Sequence, residues 1–291
     1  MAAEFLRIED LCQQFGRHKA VDHVSFSLHE GEILGLVGES GSGKTTLGRC
    51  IMGLYPGSSG RILYRGQPLK GGARRKSIAD RRSGTVSPIQ MIFQDPMASL
   101  NPRMTVGESI AEGLIIRGER DRAAIRQKVA QMLELVGLPA GYAGRYPHEF
   151  SGGQRQRIGI ARAIVMEPKL LIADEAVSAL DVSVQAQVVN LLLDLREQMG
   201  LSILFIAHDL AVVKQICDRI AVMHLGKIVE IAPSQELFDR PLHPYTQALL
   251  SAIPLPDPRA QGRDLPTLAV PTQESGQLRQ VSPDHWVLEN S

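Results

Sequence analysis

Short, mainly apolar runs alternate with stretches of helical periodicity along much of the chain. Four of these runs are typical of buried β-strands: Ile33–Val37, Gln90–Phe93, Leu170–Ala173 and Ile203–Ala207. Apolar residues recur on one helical face within Ile125–Val136, which Gly137 follows. The same spacing runs through Val184–Met199, with Ser183 as a candidate N-cap and Gly200 as a stop. This alternation favours an α/β fold with a mostly parallel sheet covered on both faces.

Other parts of the chain follow different patterns. Residues 5–30 and 61–69 have the alternation of short antiparallel strands with turns, which predicts an N-terminal antiparallel β subdomain. Residues from about 95 to 164 are rich in helical pattern and carry no strong strand signal. We therefore expect a helical subdomain inserted into the α/β core. Ile220–His224 and Lys227–Ile231 flank a Leu225-Gly226 turn and predict a late hairpin.

The C-terminal part of the chain is marked by proline. We expect an extended segment after Pro241, with one short helix near Thr246–Ala252, because prolines break most regular structure. The domain organisation predicted from these patterns is a domain of residues 1–240 followed by a proline-rich extension of residues 241–291.

Composition excludes several classes of protein. Hydrophobic residues make up 44% of the 291 residues and charged residues 22%, as in globular proteins, and the net charge of +1 provides no broad basic surface for nucleic acid. Cys12, Cys50 and Cys217 form no C-x-x-C motif, which argues against a disulfide framework or a cysteine-ligated metal. No apolar run reaches membrane-spanning length and Met1–Asp10 is no signal peptide, so we expect a cytosolic protein that reaches a membrane through a partner.

One glycine-rich segment predicts a phosphate site. Gly38–Thr45 fits G-x-x-x-x-G-K-[ST], between the apolar run Ile33–Val37 and a helical pattern at Thr45–Met52. Glycines let successive backbone N–H groups face phosphate oxygens, Lys44 adds a positive charge, and Thr45 offers a hydroxyl to Mg²⁺. A chance glycine-rich turn is the alternative, and the strand and helix on either side favour the phosphate site. The candidate ligands are Gly38, Glu39, Ser40, Gly41, Ser42, Gly43, Lys44, Thr45 and Thr46.

Two adjacent carboxylates end the run Leu170–Ala173. Asp174 and Glu175 would repel each other in a buried setting unless a cation were close by. A Mg²⁺ ion near Asp174 and a water polarised by Glu175 would account for the pair. The alternative is an ordinary acidic loop at the end of a strand. The presence of the glycine-rich motif Gly38–Thr45 in the same chain favours the magnesium interpretation over this alternative.

The segment Phe150–Arg157 resembles the signature sequence L-S-G-G-Q of ABC-type ATPases, with Phe150 in place of leucine. Taken alone, the same residues describe a helix whose N-cap is Ser151, and both interpretations can hold together. In the family this helix tip docks on the ATP held by another subunit. The resemblance therefore implies ATP contacts for Ser151, Gly153 and Gln154.

Further segments resemble the family in the expected order over about residues 4–240. The resemblance implies a Q-loop glutamine at Gln94, a D-loop that ends at Asp181, a γ-phosphate histidine at His208 and an adenine-stacking aromatic at Phe15. The resemblance also implies a P-loop core of the RecA-like type, with ATP and Mg²⁺ bound to it. The implied catalytic residues are Glu175, His208 and Lys44, and the implied metal ligands are Thr45, Gln94 and Asp174.

Narrower features are similar to the ATPases of oligopeptide, dipeptide and nickel importers. They are Gln94–Gly107, the segment Leu242–Leu250 and the Ala-Val pair within Asp174–Asp181. Some partner ATPases of these importers carry a C-terminal cysteine cluster for an iron–sulfur centre. Because this chain has no cysteine after Cys217, it resembles the cluster-free member of such a pair.

The resemblance implies an ATP-hydrolysing subunit that powers peptide import from the cytoplasmic face of the inner membrane. Its implied partners are a second, homologous ATPase with the iron–sulfur cluster, two integral membrane permease subunits and, indirectly, an extracytoplasmic solute-binding protein. A nickel or other small-solute importer is the first alternative. A soluble ABC ATPase acting on nucleic acid or ribosomes and a switch without transport are the others. The basic stretch Lys70–Arg82 is interpreted as a solvated loop, since no aromatic residues interleave its charges.

Overall fold

The computed structural model describes residues 4–69, 88–178, 180–252 and 276–289. The basic stretch Lys70–Arg82 and most of the prolines after Pro241 lie outside these ranges. The chain divides into two compact units, the first formed by Met1–Gly72 with Phe205–Ser291 and the second by Ala73–Leu204. The boundary between them falls within one strand, Ser202–Ile206 (β8).

The first unit contains an antiparallel sheet near the N-terminus. Its strands lie in the order β2–β1–β4–β5, and they are β1 (Glu4–Phe15), β2 (His18–His29), β4 (Ser59–Tyr64) and β5 (Gln67–Pro68). The core side is apolar, with Leu6, Ile8 and Val24 almost fully buried. The alternation in the sequence therefore predicted this subdomain correctly.

The same unit contains a mixed sheet that carries the glycine-rich motif. Its wholly buried strand β3 (Ile33–Val37) pairs in parallel with β9 (Arg219–His224), and β9 pairs antiparallel with β10 (Lys227–Pro233). Leu225 and Gly226 both have positive φ and close the predicted hairpin. The helices described in this unit are α1 (Lys44–Ile51), α7 (Leu210–Ile216), α8 (Ser234–Asp239) and α9 (Pro244–Ser251).

The C-terminal segment is more regular than the sequence suggested. The short helix near Thr246 is present as α9, but residues 276–289 form a hairpin instead of an extended chain. Its strands β11 (Gln277–Ser282) and β12 (His285–Glu289) are antiparallel, and β12 pairs with β10. Pro283 lies in the connecting turn, where it interrupts no ladder hydrogen bond, so the expectation of an extended tail was wrong for this part.

A buried polar cluster joins this hairpin to the sheet. Glu230 of β10 is fully buried, and the ring of His285 lies 2.8 Å from it through Nε2. The other ring nitrogen, Nδ1, lies 2.8 Å from Glu236 of α8. Glu230 also accepts hydrogen bonds from the backbone N–H groups of Leu242 and His243. A buried carboxylate requires such partners, and these four contacts fix the start of α9 beside the hairpin.

The second unit combines two parallel strands with most of the helices. Strands β6 (Ile89–Ile92) and β7 (Leu170–Asp174) pair in register, within one residue of the predicted bounds. Within the continuous described range 88–178, residues 95–164 hold helices and no strand. Within the described residues of this unit, the helices are α2 (Pro96–Ser99), α3 (Val106–Arg117), α4 (Arg122–Leu135), α5 (Gly152–Ile164) and α6 (Val182–Met199), with two short 3₁₀ helices at Ala140–Gly144 and Pro147–Glu149.

Two details of α6 bear on the expected bounds. The helix begins at Val182 and its N-cap is Asp181, so the prediction of Ser183 as the cap was wrong by two residues. Gly200 ends the helix with φ of 61°, as predicted for a glycine stop. Among the described residues, no helix combines the length and the apolar character that crossing a bilayer requires.

Candidate active site

The loop between β3 and α1 is shaped by close approaches that only glycine permits. Gly38 has φ of 149°, and a Cβ there would lie 2.1 Å from the backbone oxygen of Met223 in β9. Gly43 has φ of 107°, and its Cβ would lie 2.0 Å from the backbone oxygen of Ala20. Both approaches are far inside van der Waals contact, so the neighbouring backbone fixes the curl of the loop.

Lys44 lies at the first position of α1 and is buried. Its ammonium group donates to the backbone oxygens of Gly38 and Glu39, both at 2.8 Å. The lysine therefore lies folded along the loop, with its charge held at the position where the backbone curls. A buried ammonium among oxygen acceptors is suited to exchanging those acceptors for phosphate oxygens.

The rest of the loop places N–H groups at a helix start. Ser42 is buried, and its carbonyl accepts a hydrogen bond of 3.0 Å from the N–H of Gly226 in the β9–β10 turn. Ser40 and Gly41 are exposed, and Thr45 and Thr46 belong to the first turn of α1. The N–H groups of a first helical turn lack intrahelical partners and carry the positive end of the helix dipole, which favours an anion.

Two predicted nucleotide contacts of the first unit lie at strand ends. Phe15 is the last residue of β1, and its ring is 45% exposed. The ring meets Tyr55 edge to face, with centroids 5.2 Å apart and an interplanar angle of 78°, which leaves a ring face for a base to stack on. His208 follows β8, as the sequence predicted for a histidine after that strand.

In the second unit, the structure brings Gln94 and Glu175 together. Asp174 ends β7 and is buried, and Glu175 follows it with φ of 46°, an uncommon conformation for a residue with a side chain. The Gln94 side-chain amide donates to the Glu175 carboxylate at 2.7 Å. The sequence suggested these two residues separately and gave no sign of their contact, because it joins positions that are 81 apart in the chain.

The predicted signature segment forms the beginning of α5. Ser151 is its N-cap, and the Ser151 hydroxyl accepts from the N–H of Gln154 while the Gln154 side-chain oxygen accepts from the N–H of Ser151. The N-cap interpretation is thereby confirmed. Gly153 faces α6 so closely that a Cβ would lie 2.4 Å from a methyl carbon of Val184. Asp181 is the N-cap of α6, and Ala179 of the same predicted loop lies outside the described residues.

One residue at the glycine-rich loop was missed. Tyr245 of α9 is 2% exposed, and its hydroxyl oxygen accepts a hydrogen bond of 2.9 Å from the N–H of Glu39. Burial raises the pKa of the Tyr245 hydroxyl, which therefore stays protonated at neutral pH. No local pattern signals this contact, since the two residues are 206 positions apart in the chain.

Comparisons with known proteins agree with this geometry. Residues 21–178 match the family described as ABC transporter, which covers the glycine-rich loop, the signature segment and the acidic pair. The chain belongs to the ABC transporter family. Residues 229–277 also match the family described as the C-terminal region of oligopeptide and dipeptide transporters. The resemblance inferred from the motifs is confirmed.

Individual relatives cover almost the whole chain. An oligopeptide transport ATP-binding protein of Bacillus subtilis, OppF, is 52% identical over 99% of this chain and 97% of its own length. An oligopeptide transport ATP-binding protein of Streptococcus pneumoniae, AmiF, is 48% identical over all of this chain and 96% of its own.

Solved structures of ABC cassettes share the fold. CbiO1 from Clostridium perfringens, part of an ABC transporter complex, matches 82% of this chain and 92% of its own with a TM-score of 0.71 and 29% identity. The cassette MJ0796, solved as a dimer with ADP and Pi, matches 79% of this chain and 98% of its own with a TM-score of 0.68 and 25% identity. The chain is an α/β ATPase of the ABC type.

Proposed function

We propose that this ABC ATPase drives the import of peptides, peripherally at the cytoplasmic face of a membrane. The proposal rests on the loop around Lys44, which combines a phosphate-binding backbone with a buried cation. The relatives OppF and AmiF, both oligopeptide transport ATP-binding proteins, and the match of residues 229–277 support peptides as the transported class.

ATP binds, in this proposal, with its phosphates on the N–H groups at the start of α1. Lys44 exchanges the carbonyl oxygens of Gly38 and Glu39 for phosphate oxygens, and Phe15 stacks on adenine through its exposed face. His208 senses the γ-phosphate through an imidazole nitrogen. These contacts orient the terminal phosphate for attack along the line of the bond that breaks.

Water activation falls to Glu175. Its carboxylate takes up a proton as the attacking oxygen approaches phosphorus, and Gln94 holds the carboxylate through the 2.7 Å hydrogen bond. The left-handed backbone at Glu175 fixes the direction of the side chain after the strand ends. The side-chain nitrogen of Gln94 thus donates to Glu175, and the side-chain oxygen of Gln94 is left as the proposed metal ligand.

The donor set fits Mg²⁺. Thr45 offers a hydroxyl, Gln94 an amide oxygen and Asp174 a buried carboxylate, all hard oxygen ligands. When bound, Mg²⁺ neutralises charge on the phosphate oxygens. Asp174 is buried at the end of β7, and a bound cation would offset the negative charge of its carboxylate.

A second ATPase subunit completes each site in this proposal. The start of α5 presents the Ser151 hydroxyl and the N–H groups of Gly153 and Gln154 to the ATP held by the partner. ATP then joins the two subunits by charge-assisted hydrogen bonds, and hydrolysis releases them. We propose that the partner is a homologous ATPase that carries an iron–sulfur cluster. Measuring the iron content of the purified pair tests this proposal.

Membrane permease subunits are expected to meet the helical part of the second unit. Between α3, α4 and residues 140–144 lies a groove of about 1030 Å³. Its apolar lining includes Met104, Val129 and Ile116, the last of which is 78% exposed. Arg103, which belongs to the predicted Gln94–Gly107 segment, also lines the groove, and we propose that this segment couples a helix seated there to Gln94.

The decisive experiment is Glu175→Gln in the assembled transporter. Glutamine keeps an acceptor oxygen for Gln94 but cannot take up the proton of the attacking water. We expect phosphate release to fall by about 100-fold or more while ATP binding persists. Because ATP is no longer consumed, the closed ATPase dimer should accumulate, which light scattering can follow on the two ATPase subunits purified without the permeases.

Glu167→Gln is the matched control, since this glutamate is exposed, pairs with Lys128 and lies apart from the proposed catalytic residues in sequence. Its ATPase rate should equal that of the unmodified chain. An unchanged rate in Glu175→Gln would remove the proposed role of Glu175. Co-purification with RNA or DNA in place of integral membrane subunits would contradict the transport function.

A further inference from the structure

The C-terminal helix α9 reaches the phosphate-binding loop through one buried hydroxyl. The Tyr245 hydroxyl accepts a hydrogen bond from the N–H of Glu39. The carbonyl of Glu39 in turn accepts a hydrogen bond from the Lys44 ammonium group. Glu39 is therefore held on its N–H side by the C-terminal extension and on its carbonyl side by Lys44. The N–H of Glu39 and the carbonyl of Gly38 belong to one planar peptide group, and Lys44 donates to that carbonyl as well, so Tyr245 and Lys44 hold the same peptide plane from its two sides.

The ring of Tyr245 is held as firmly as its hydroxyl. It stacks on His224 with centroids 3.9 Å apart and an interplanar angle of 17°. His224 is the last residue of β9 and follows Met223, whose carbonyl approaches Gly38. The strand end that shapes the first glycine of the loop therefore also supports the ring that holds Glu39.

The start of α9 is anchored independently of the loop. The side chain of His243 caps the helix by accepting from the N–H of Tyr245 at 3.2 Å, and Pro244 occupies the first helical turn. Glu230 accepts the N–H groups of Leu242 and His243, and His285 bridges Glu230 to Glu236. Tyr245 thus projects from a fixed base that lies outside the loop itself.

These contacts distinguish two roles. A tyrosine that only packed the extension onto the core would affect the free energy of unfolding without changing the affinity for ATP. A hydroxyl that accepts a hydrogen bond from the loop would also affect the affinity for ATP. The reason is that Lys44 releases the Glu39 carbonyl when phosphates bind, which changes the hydrogen bonding of the residue that Tyr245 holds.

We propose that Tyr245 is a positioning residue for ATP binding, through which the C-terminal extension holds the Glu39 peptide in the conformation that binds phosphate. The inference rests on the proposed phosphate role of the loop around Lys44. By thermodynamic linkage, ATP binding and the docking of α9 favour each other. The His-Pro-Tyr sequence at 243–245 then has a physical purpose, since the histidine caps the helix, the proline starts it and the tyrosine contacts the loop.

The test is Tyr245→Phe in the full chain, which removes the hydroxyl and keeps the ring on His224. The N–H of Glu39 then loses its acceptor, and we expect Kd for ATP by calorimetry to rise about three- to tenfold. In the assembled transporter, KM for ATP should rise similarly, while kcat at saturating ATP stays within about twofold because the catalytic groups are intact.

Tyr64→Phe in β4 is the matched control, as it removes a hydroxyl from the antiparallel sheet of the same unit. It should leave Kd and KM for ATP unchanged. An unaltered Kd in Tyr245→Phe, with or without a lower melting temperature, would overturn the inference. The melting temperature separates the two roles, since loss of stability alone identifies a purely structural hydroxyl.

Hydrogen exchange provides a second readout. In the unmodified chain, ATP should slow the exchange of the backbone amides of α9, and in Tyr245→Phe this protection should disappear. Exchange in α9 that ignores ATP in both proteins contradicts the proposal. Lys44→Ala distinguishes failure of this inference from failure of the proposed function. If Lys44→Ala still binds ATP, the proposed phosphate site is wrong. If Lys44→Ala loses ATP binding while Tyr245→Phe binds ATP as tightly as the unmodified chain, only the role of Tyr245 is wrong.

Discussion

The glycine-rich loop Gly38–Thr45 and the signature segment both introduce a helix with glycines, but different interactions shape them. At Gly38 and Gly43 the glycines adopt positive φ and lie against backbone oxygens, where a Cβ would be 2.1 Å and 2.0 Å away. At the start of α5 the conformation is helical, and a reciprocal pair of side-chain hydrogen bonds between Ser151 and Gln154 fixes it. One site is built by its surroundings and the other by its own side chains.

This difference predicts how each site tolerates substitution. The loop depends on the backbone of Ala20 and Met223, which cannot move aside without disturbing the sheet. At Gly152 a Cβ would find its nearest neighbour, a methyl of Leu180, at an ordinary 3.8 Å. Gly153 is intermediate, because its neighbour is the side chain of Val184. The start of α5, which we propose docks on a partner's ATP, should therefore tolerate substitution better than the glycine-rich loop.

The largest effect is expected for Gly43→Ala compared with Gly152→Ala. The first substitution combines a positive φ with a backbone clash and should lower the free energy of unfolding by about 3 kcal/mol or more. The second should change it by less than about 1 kcal/mol, since alanine favours a helix. Urea denaturation followed by circular dichroism measures both, and equal losses would contradict the distinction.

A smaller effect is expected for Lys44→Ala. Loss of a charge-assisted contact to phosphate should weaken ATP binding by about 10- to 100-fold, measured by calorimetric titration. Lys128→Ala is the control, because Lys128 pairs with Glu167 away from the loop. Binding as tight as in the unmodified chain would show that the loop, however well formed, is not where phosphates are held.

A moderate loss of stability, well below that of Gly43→Ala, is expected for Ser151→Ala. Removal of an N-cap hydroxyl should cost about 1 kcal/mol in thermal unfolding. ATP-dependent association with the partner ATPase should weaken as well, while ATP binding to the separate chain persists. Ser25→Ala in β2 is the control, because its hydroxyl accepts a backbone N–H, that of Asp10, and belongs to no proposed ATP contact. Normal association in Ser151→Ala would leave the hydroxyl with a capping role alone.

Sequence patterns predicted the parts of the fold in which neighbouring residues decide the outcome. The strand Ile33–Val37, the loop after it and the helix capped by Ser151 follow from short-range pattern and capping. The hairpin at residues 276–289 escaped prediction because its pairing partner, β10, lies more than 40 residues away. The contact of Gln94 with Glu175 and that of Tyr245 with Glu39 escaped for the same reason. Such contacts arise from tertiary packing, which no local periodicity encodes.

The buried carboxylate of Glu230 also determines where this protein can be shortened. Cutting the chain after residue 252 would remove His285, and a cut before Leu242 would further remove two backbone donors. The first truncation would deprive the buried Glu230 carboxylate of one partner and the second would deprive it of three, so the cost in stability should rise from the first cut to the second. Expression of a minimal cassette therefore needs its far C-terminal strands, or a neutral residue such as glutamine in place of Glu230.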